Sequence, residues 1–118
     1  MRDWRELRLY FRAMADPRRL RMVAEIAATP DISVKELCAR LRASQPLVSW
    51  HLRVLVRCGL VTSRRQGRNV FCSLNRGAFT AYEKRLAQLL GDTPREEAAP
   101  RDNRALRAVR PSSLGANS

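Results

Sequence analysis

Apolar residues recur at intervals of three and four along most of the chain up to residue 91, and capping and turn residues punctuate the periodic stretches. Trp4, Leu7, Phe11 and Met14 predict an amphipathic helix over residues 2–14 whose other side carries Arg2, Arg5, Arg8 and Arg12. Asp16 followed by Pro17 is a helix-start signal, a carboxylate cap with proline in the first turn, and opens a second helix with Leu20, Val23 and Ile26 inward. Thr29-Pro30-Asp31 ends it. Ser33-Val34-Lys35-Glu36 has the Ser-x-x-Glu spacing of a capping box and opens a short third helix with Val34, Leu37 and Leu41 on its inner side. After a tight turn, Ser44 caps a fourth helix, Pro46 sits in its first turn, and Val48, Leu52, Leu55 and Val56 form its buried stripe up to a stop at Gly59.

Beyond Gly59, LVTSRR and RNVFCSL have strand character, and RRQGR between them has the composition of a hairpin loop. Asn75 caps a last helix whose apolar row is Phe79, Tyr82, Leu86 and Leu89, with Gly91 as the stop. From residue 92 the periodicity fails. Residues 92–118 hold three of the six prolines and almost no large apolar side chains, and are read as a disordered C-terminal tail. The remaining 1–91 form one domain, mostly α with a small β-hairpin: five helices plus a two-stranded wing. Two short helices joined by a tight turn, followed by a hairpin, make a winged helix-turn-helix.

Charge sharpens this picture. The 118-residue chain carries a net charge of +12, with 23 basic residues of which all but Lys35 and Lys84 are arginine. Arginine presents a planar fork suited to phosphate, so double-stranded DNA is the expected partner. The outer face of the fourth helix agrees. Ser44, Gln45, Pro46, Ser49, Trp50, His51 and Arg53 offer donors, acceptors and a large ring where a merely solvated helix would carry Glu and Lys. Arg64, Arg65 and Arg68 of the wing are placed for phosphate or the minor groove. The arginine row of the first helix reads equally as a solvated face or a DNA flank contact.

The stretches MADPRRLRMV at 14–23, SVKELCARL at 33–41, SQPLVSWHLRVLVRCGLV at 44–61 and SRRQGRNVFCSL at 63–74 together resemble the winged-helix repressors of the ArsR/SmtB type. The resemblance implies a homodimer, paired through residues 2–14 and 76–90, that binds an inverted-repeat operator and usually represses. Two positions depart from the family pattern: Arg42 stands where the turn usually carries glycine, and Trp50 where the residue is commonly basic. The metal sites that the family implies also lack their ligands here. Ser33-Val34-Lys35 stands in place of Cys-Val-Cys, residues 76–90 hold no histidine and only one acid, Glu83, and Cys58 has Val54 four residues before it in place of a second cysteine. No cofactor is expected.

His51, the only histidine, is read as facing DNA rather than a metal. The three cysteines have no disulfide spacing, and Cys38 and Cys72 are read as small core residues. If the chain senses a chemical signal, Cys58 and Cys72 are the thiol candidates; the alternative is unreactive thiols, with regulation through protein level or another ligand. Without a phosphate-binding glycine loop or a Ser-His-acid set, catalysis is not expected. The rival to DNA binding is a winged helix used for protein or RNA association, for which only Trp50 speaks. No apolar run reaches the roughly 18 residues of a membrane span, so a cytoplasmic protein with no membrane partner is expected.

Overall fold

The computed structural model describes residues 4–91. Arg2 and the 92–118 segment read above as a tail lie outside the described residues. The five expected helices are α1 (Arg5–Met14), α2 (Pro17–Ala28), α3 (Val34–Leu41), α4 (Gln45–Arg57) and α5 (Arg76–Leu89). The starts of α2 to α5 are where a capping side chain puts them. The first N–H groups of a helix have no intrahelical acceptor, and a side-chain oxygen that takes one stabilises the helix by about 1 kcal/mol. Asp16 accepts from the Arg18 N–H at 2.8 Å, Ser33 from Glu36 at 3.0 Å, Ser44 from Leu47 at 3.4 Å and Asn75 from Ala78 at 3.2 Å. The capping box is half formed, because Glu36 turns to Arg40 at 3.0 Å instead of reaching back to Ser33.

The turn between α3 and α4 closes through Arg42 in the left-handed region, φ 53° and ψ 47°. A side chain with Cβ costs about 1–2 kcal/mol there, so the departure from glycine at this position is real strain. Gly59 ends α4 at φ 83° without that cost.

One element was not foreseen. The expected two-stranded wing, β2 (Val61–Gln66) and β3 (Asn69–Leu74), is present and is joined by a short strand, β1 (Ile32–Ser33), in an antiparallel three-stranded sheet of order β1-β3-β2. Ile32 pairs with Cys72 and Ser33 with Phe71. Two residues are too few to show a period of two, and the pairing is driven by the free edge of β3 and burial of Ile32. The hairpin turns through Gly67 and Arg68 between the paired Gln66 and Asn69, with Gly67 at φ 63° as such two-residue turns require.

Met22, Ile26, Leu37, Val48, Leu55, Leu60, Val61 and Cys72 form the fully enclosed centre, each aliphatic side chain contributing about 1.5–3 kcal/mol by burial. α1 and α5 pack side by side: the Tyr10 ring stacks on Tyr82 at 4.6 Å, and Arg85 pairs with Glu6. The Tyr82 hydroxyl donates to the Cys58 carbonyl at 2.8 Å and so ties α5 to the end of α4.

Leu20, expected on the inward side of α2, faces outward at 46% exposure, and α2 buries Met22 and Ile26 instead. On α1 the inward line is Leu7, Tyr10 and Ala13, while Trp4 and Phe11 lie on the open flank at over two-fifths exposure. Leu9, Leu89 and Leu90 are exposed on the same two terminal helices. No described helix is long and apolar enough to cross a membrane.

Candidate nucleic-acid interface

α4 packs Val48, Leu52 and Leu55 against the core and leaves Gln45, Ser49 and Arg53 on a line one helical turn apart. β2 and β3 run beside that line. Between them lies a groove of about 570 Å³ whose walls include Gln45, Ser49 and Arg53 from α4, Lys35 from α3, and Arg65 and Arg68 from the wing. No acidic residue lines it. The side chains of Lys35, Gln45, Arg53, Arg65 and Arg68 make no hydrogen bond or ion pair among the described residues, so their donors remain available. Lys35 was not among the expected site residues. Its signal was present in the sequence, as the first exposed residue after the Ser33 cap of the helix preceding α4.

Val56, expected in the core, is 39% exposed and lines this groove, since it lies seven residues beyond Ser49 on the same helical line. Ser44 and Pro46 bound the first turn of α4, where the Ser44 hydroxyl is engaged as the cap.

Alternation along β2 separates the wing arginines. Arg65 and Ser63 face the α4 groove, while Arg64 takes the other side. There it pairs with Asp31 at 2.6 Å, reaches Gln66 at 2.9 Å and covers the Phe71 ring at 4.5 Å. Arg64 therefore stands apart from Arg65 and Arg68, its charge already partly compensated.

His51 is corrected outright in its placement. It is 4% exposed, on the inward line 48, 51, 52, 55, and its Nδ1 lies 3.0 Å from Arg19 Nη1. A guanidinium can only donate, so Nδ1 accepts and the imidazole proton sits on Nε2. Burial pushes the His51 pKa below its ordinary 6.5; Asp16 opposes this, and Arg19 and Arg18 add to it.

Arg19, unnoticed in the sequence, is the hub of this corner. Its Nε donates to the Ala13 carbonyl at 2.8 Å and its Nη2 to the Arg12 carbonyl at 3.4 Å, which also accepts from the Ala15 N–H at 3.3 Å, so Arg19 caps the end of α1. One buried guanidinium thus holds the end of α1 against α4. Asp16 completes the cluster at 3.9 Å from Arg19. Burial works against its carboxylate, but the Arg18 N–H and the charges of Arg19 and His51 bring its pKa below the usual value. Trp50 stands outside this cluster, 53% exposed, with Arg19 at 5.9 Å from its ring and His51 edge-on at 5.3 Å.

Burial disfavours the thiolate at both candidate sensor cysteines. Cys72 is fully enclosed in β3 and burial pushes its pKa up to about 11. Burial raises Cys58 as well, and its Sγ–H donates to the Leu55 carbonyl at 3.5 Å. A nucleophilic or metal-binding cysteine needs the thiolate, which both environments disfavour. Among the described residues no three His, Cys, Asp or Glu side chains come together as a metal site.

The model of the arsR family of bacterial regulatory proteins matches residues 16–63, from the Asp16 cap to the start of the wing. A transcriptional repressor SmtB homolog from Synechocystis sp. is 43% identical over 65 residues, which make up 55% of this chain and 48% of that protein. The chain therefore spans about half the length of the curated relative it matches. Among solved structures, an ArsR-like transcriptional regulator from Rhodococcus sp. RHA1 superposes with a TM-score of 0.69 at 28% identity, over 81% of this chain and 90% of that one. HlyU from Vibrio cholerae N16961 superposes with a TM-score of 0.58 at 34% identity, over 71% of this chain and 90% of that one.

Proposed function

Since this chain belongs to the arsR family of bacterial regulatory proteins and is a DNA-binding transcriptional regulator, we propose that it acts as a homodimeric repressor reading an inverted-repeat operator. The observation that carries the reading is the α4–wing groove, where three hydrogen-bonding side chains one turn apart on a helix, Gln45, Ser49 and Arg53, face three further cations, Lys35, Arg65 and Arg68, and no acid. A helix fits the major groove and its N-terminal half reaches base edges, which suits Gln45, Ser49 and Arg53. Arg65 and Arg68 hold phosphates beside it, and Lys35 adds a further contact. Arg64 steadies the wing rather than meeting DNA.

Dimerisation is supported by the apolar side chains left open on the terminal helices, Trp4, Leu9 and Phe11 on or beside α1 and Leu89 and Leu90 at the end of α5. Exposed apolar side chains gathered on the two terminal helices of a small domain call for a partner, and a second copy supplies the same helices. The two α4 helices would then meet half-sites about one helical turn, roughly 34 Å, apart. The exposed Trp50 ring favours a second reading, a winged helix that docks on protein or RNA. Selection of duplexes from a random pool by the purified full chain, followed by sedimentation with and without the selected DNA, tests both. The proposal expects an inverted repeat and a dimer at micromolar concentration; a monomer, or a pool without a consensus, would sink it.

A further inference from the structure

On the flank of α4 away from the wing, a cavity of about 380 Å³ opens between α2, the α3–α4 turn and the first turns of α4. That volume lies within the range of small-molecule sites, about 300–1,000 Å³. Half-buried Leu41 and Leu47 form an apolar wall, and Met22 and Val48, nearly inaccessible, close the floor. Arg18, Arg21 and Arg42 also line it, and no acidic residue does. Arg21 is held by the Arg40 carbonyl at 3.0 Å, whereas the Arg18 and Arg42 side chains make no hydrogen bond or ion pair among the described residues. Arg42 is also the residue that carries a side chain in the left-handed conformation, so a cation stands at this mouth at a cost in backbone strain.

The fourth polar group is independent of these. His51 lines the same cavity, and its Nε2–H is buried without an acceptor. Such a group costs about 1–3 kcal/mol, which an acceptor atom within reach would relieve. We propose that the cavity binds a small amphipathic anion, a carboxylate or phosphate group on an apolar body, as the effector of this regulator. The anionic group pairs with Arg18 and Arg42, and the body lies on Leu41 and Leu47. Because Ser44, Leu47 and His51 belong to α4, whose other flank lines the DNA groove, occupancy sets the helix relative to α2. The effector role rests on the regulatory reading; binding itself does not. A coupling of ordinary size would change operator affinity about 5–150-fold.

His51 is the only histidine, so its imidazole gives one assignable signal in long-range proton–nitrogen NMR of the full chain. Naphthoate is the probe, with naphthalene methanol as its neutral counterpart and inorganic phosphate as charge without a body. Naphthoate should shift the ring signal saturably, about tenfold more tightly than either control. It should also bind about tenfold more weakly to an Arg18→Ala, Arg42→Gly variant whose melting temperature is not lowered. No saturable shift up to about 10 mM overturns the proposal, as does equal binding of the alcohol or undiminished binding by the variant. If naphthoate leaves the signal unmoved while the variant loses operator and random DNA alike with a flatter salt dependence, these arginines clamp DNA phosphates and the site does not exist. A saturable shift in a protein that selects no operator keeps the site and overturns its effector role.

Discussion

His51→Ala separates a structural imidazole from a DNA-reading one. The ring is almost wholly enclosed and accepts from the Arg19 guanidinium at 3.0 Å, so truncation removes a hydrogen bond to a charged group, about 1.5–3 kcal/mol, and opens a cavity. A buried aromatic ring replaced by Ala costs about 3–5 kcal/mol, an upper bound for the smaller imidazole. Against this, the unpartnered Nε2–H disappears, relieving about 1–3 kcal/mol. The balance is a loss of about 2–4 kcal/mol, or about 10–25 °C in melting temperature for a domain of this size. Thermal and urea unfolding should be compared at one protein concentration, because a dimer's stability depends on it. Operator affinity, measured well below the variant's transition, should stay within about tenfold. Arg19→Met should cost a similar amount, and the double variant less than the sum, since both remove the same bond. Unchanged melting together with a large loss of operator affinity would refute the reasoning and place the imidazole against DNA.

Acid should destabilise the fold through the same corner. His51 has a folded pKa below its unfolded 6.5, so the unfolded chain binds more protons below that pH; stability is full above about 6.5 and falls as pH drops through the folded value. Urea midpoints across pH 5 to 8 should show a slope that a His51→Gln variant lacks, and parallel slopes would contradict the assignment. Arg42→Gly should raise stability by about 1 kcal/mol by removing left-handed strain, read from the urea midpoint; a loss would mean that the Arg42 side chain stabilises the turn. Cys72 should be alkylated only at the rate of unfolding, and oxidant should release a Cys58→Ser, Cys72→Ala variant and wild type from the operator alike; release of wild type alone would restore the thiol switch.

The starts of α2 to α5 were legible because each rests on a local chemical device, Asp16 with Pro17, Ser33, Ser44 with Pro46, and Asn75, that acts within four residues. What lay beyond that range was less so. β1 has only two residues and exists because β3 has an edge to offer, which no local pattern records. The face of α2 was misassigned because an apolar residue at helical spacing does not say whether it meets its own core or open surface, as Leu20 shows. On α4 the spacing held the answer: 48, 51, 52 and 55 make one inward line, and residue type alone had placed His51 outside it. Arg19 follows the same rule with Met22, Val23 and Ile26. Arg64 was grouped with Arg65 by proximity in sequence, although neighbours on a strand point to opposite faces.

The central claim is that the exposed line of α4 reads bases while the groove-facing wing arginines hold phosphate, and the salt dependence of binding to operator and random duplex tests it most directly. Arg53→Ala should weaken operator binding by about 1–3 kcal/mol and leave random DNA nearly unchanged. Arg65→Ala and Arg68→Ala should weaken both duplexes alike and reduce the salt slope by about one unit each, with Arg64→Ala leaving that slope unaltered. Equal losses on operator and random DNA for Arg53→Ala, with a lowered slope, would contradict the account by showing that α4 holds the backbone and reads no sequence.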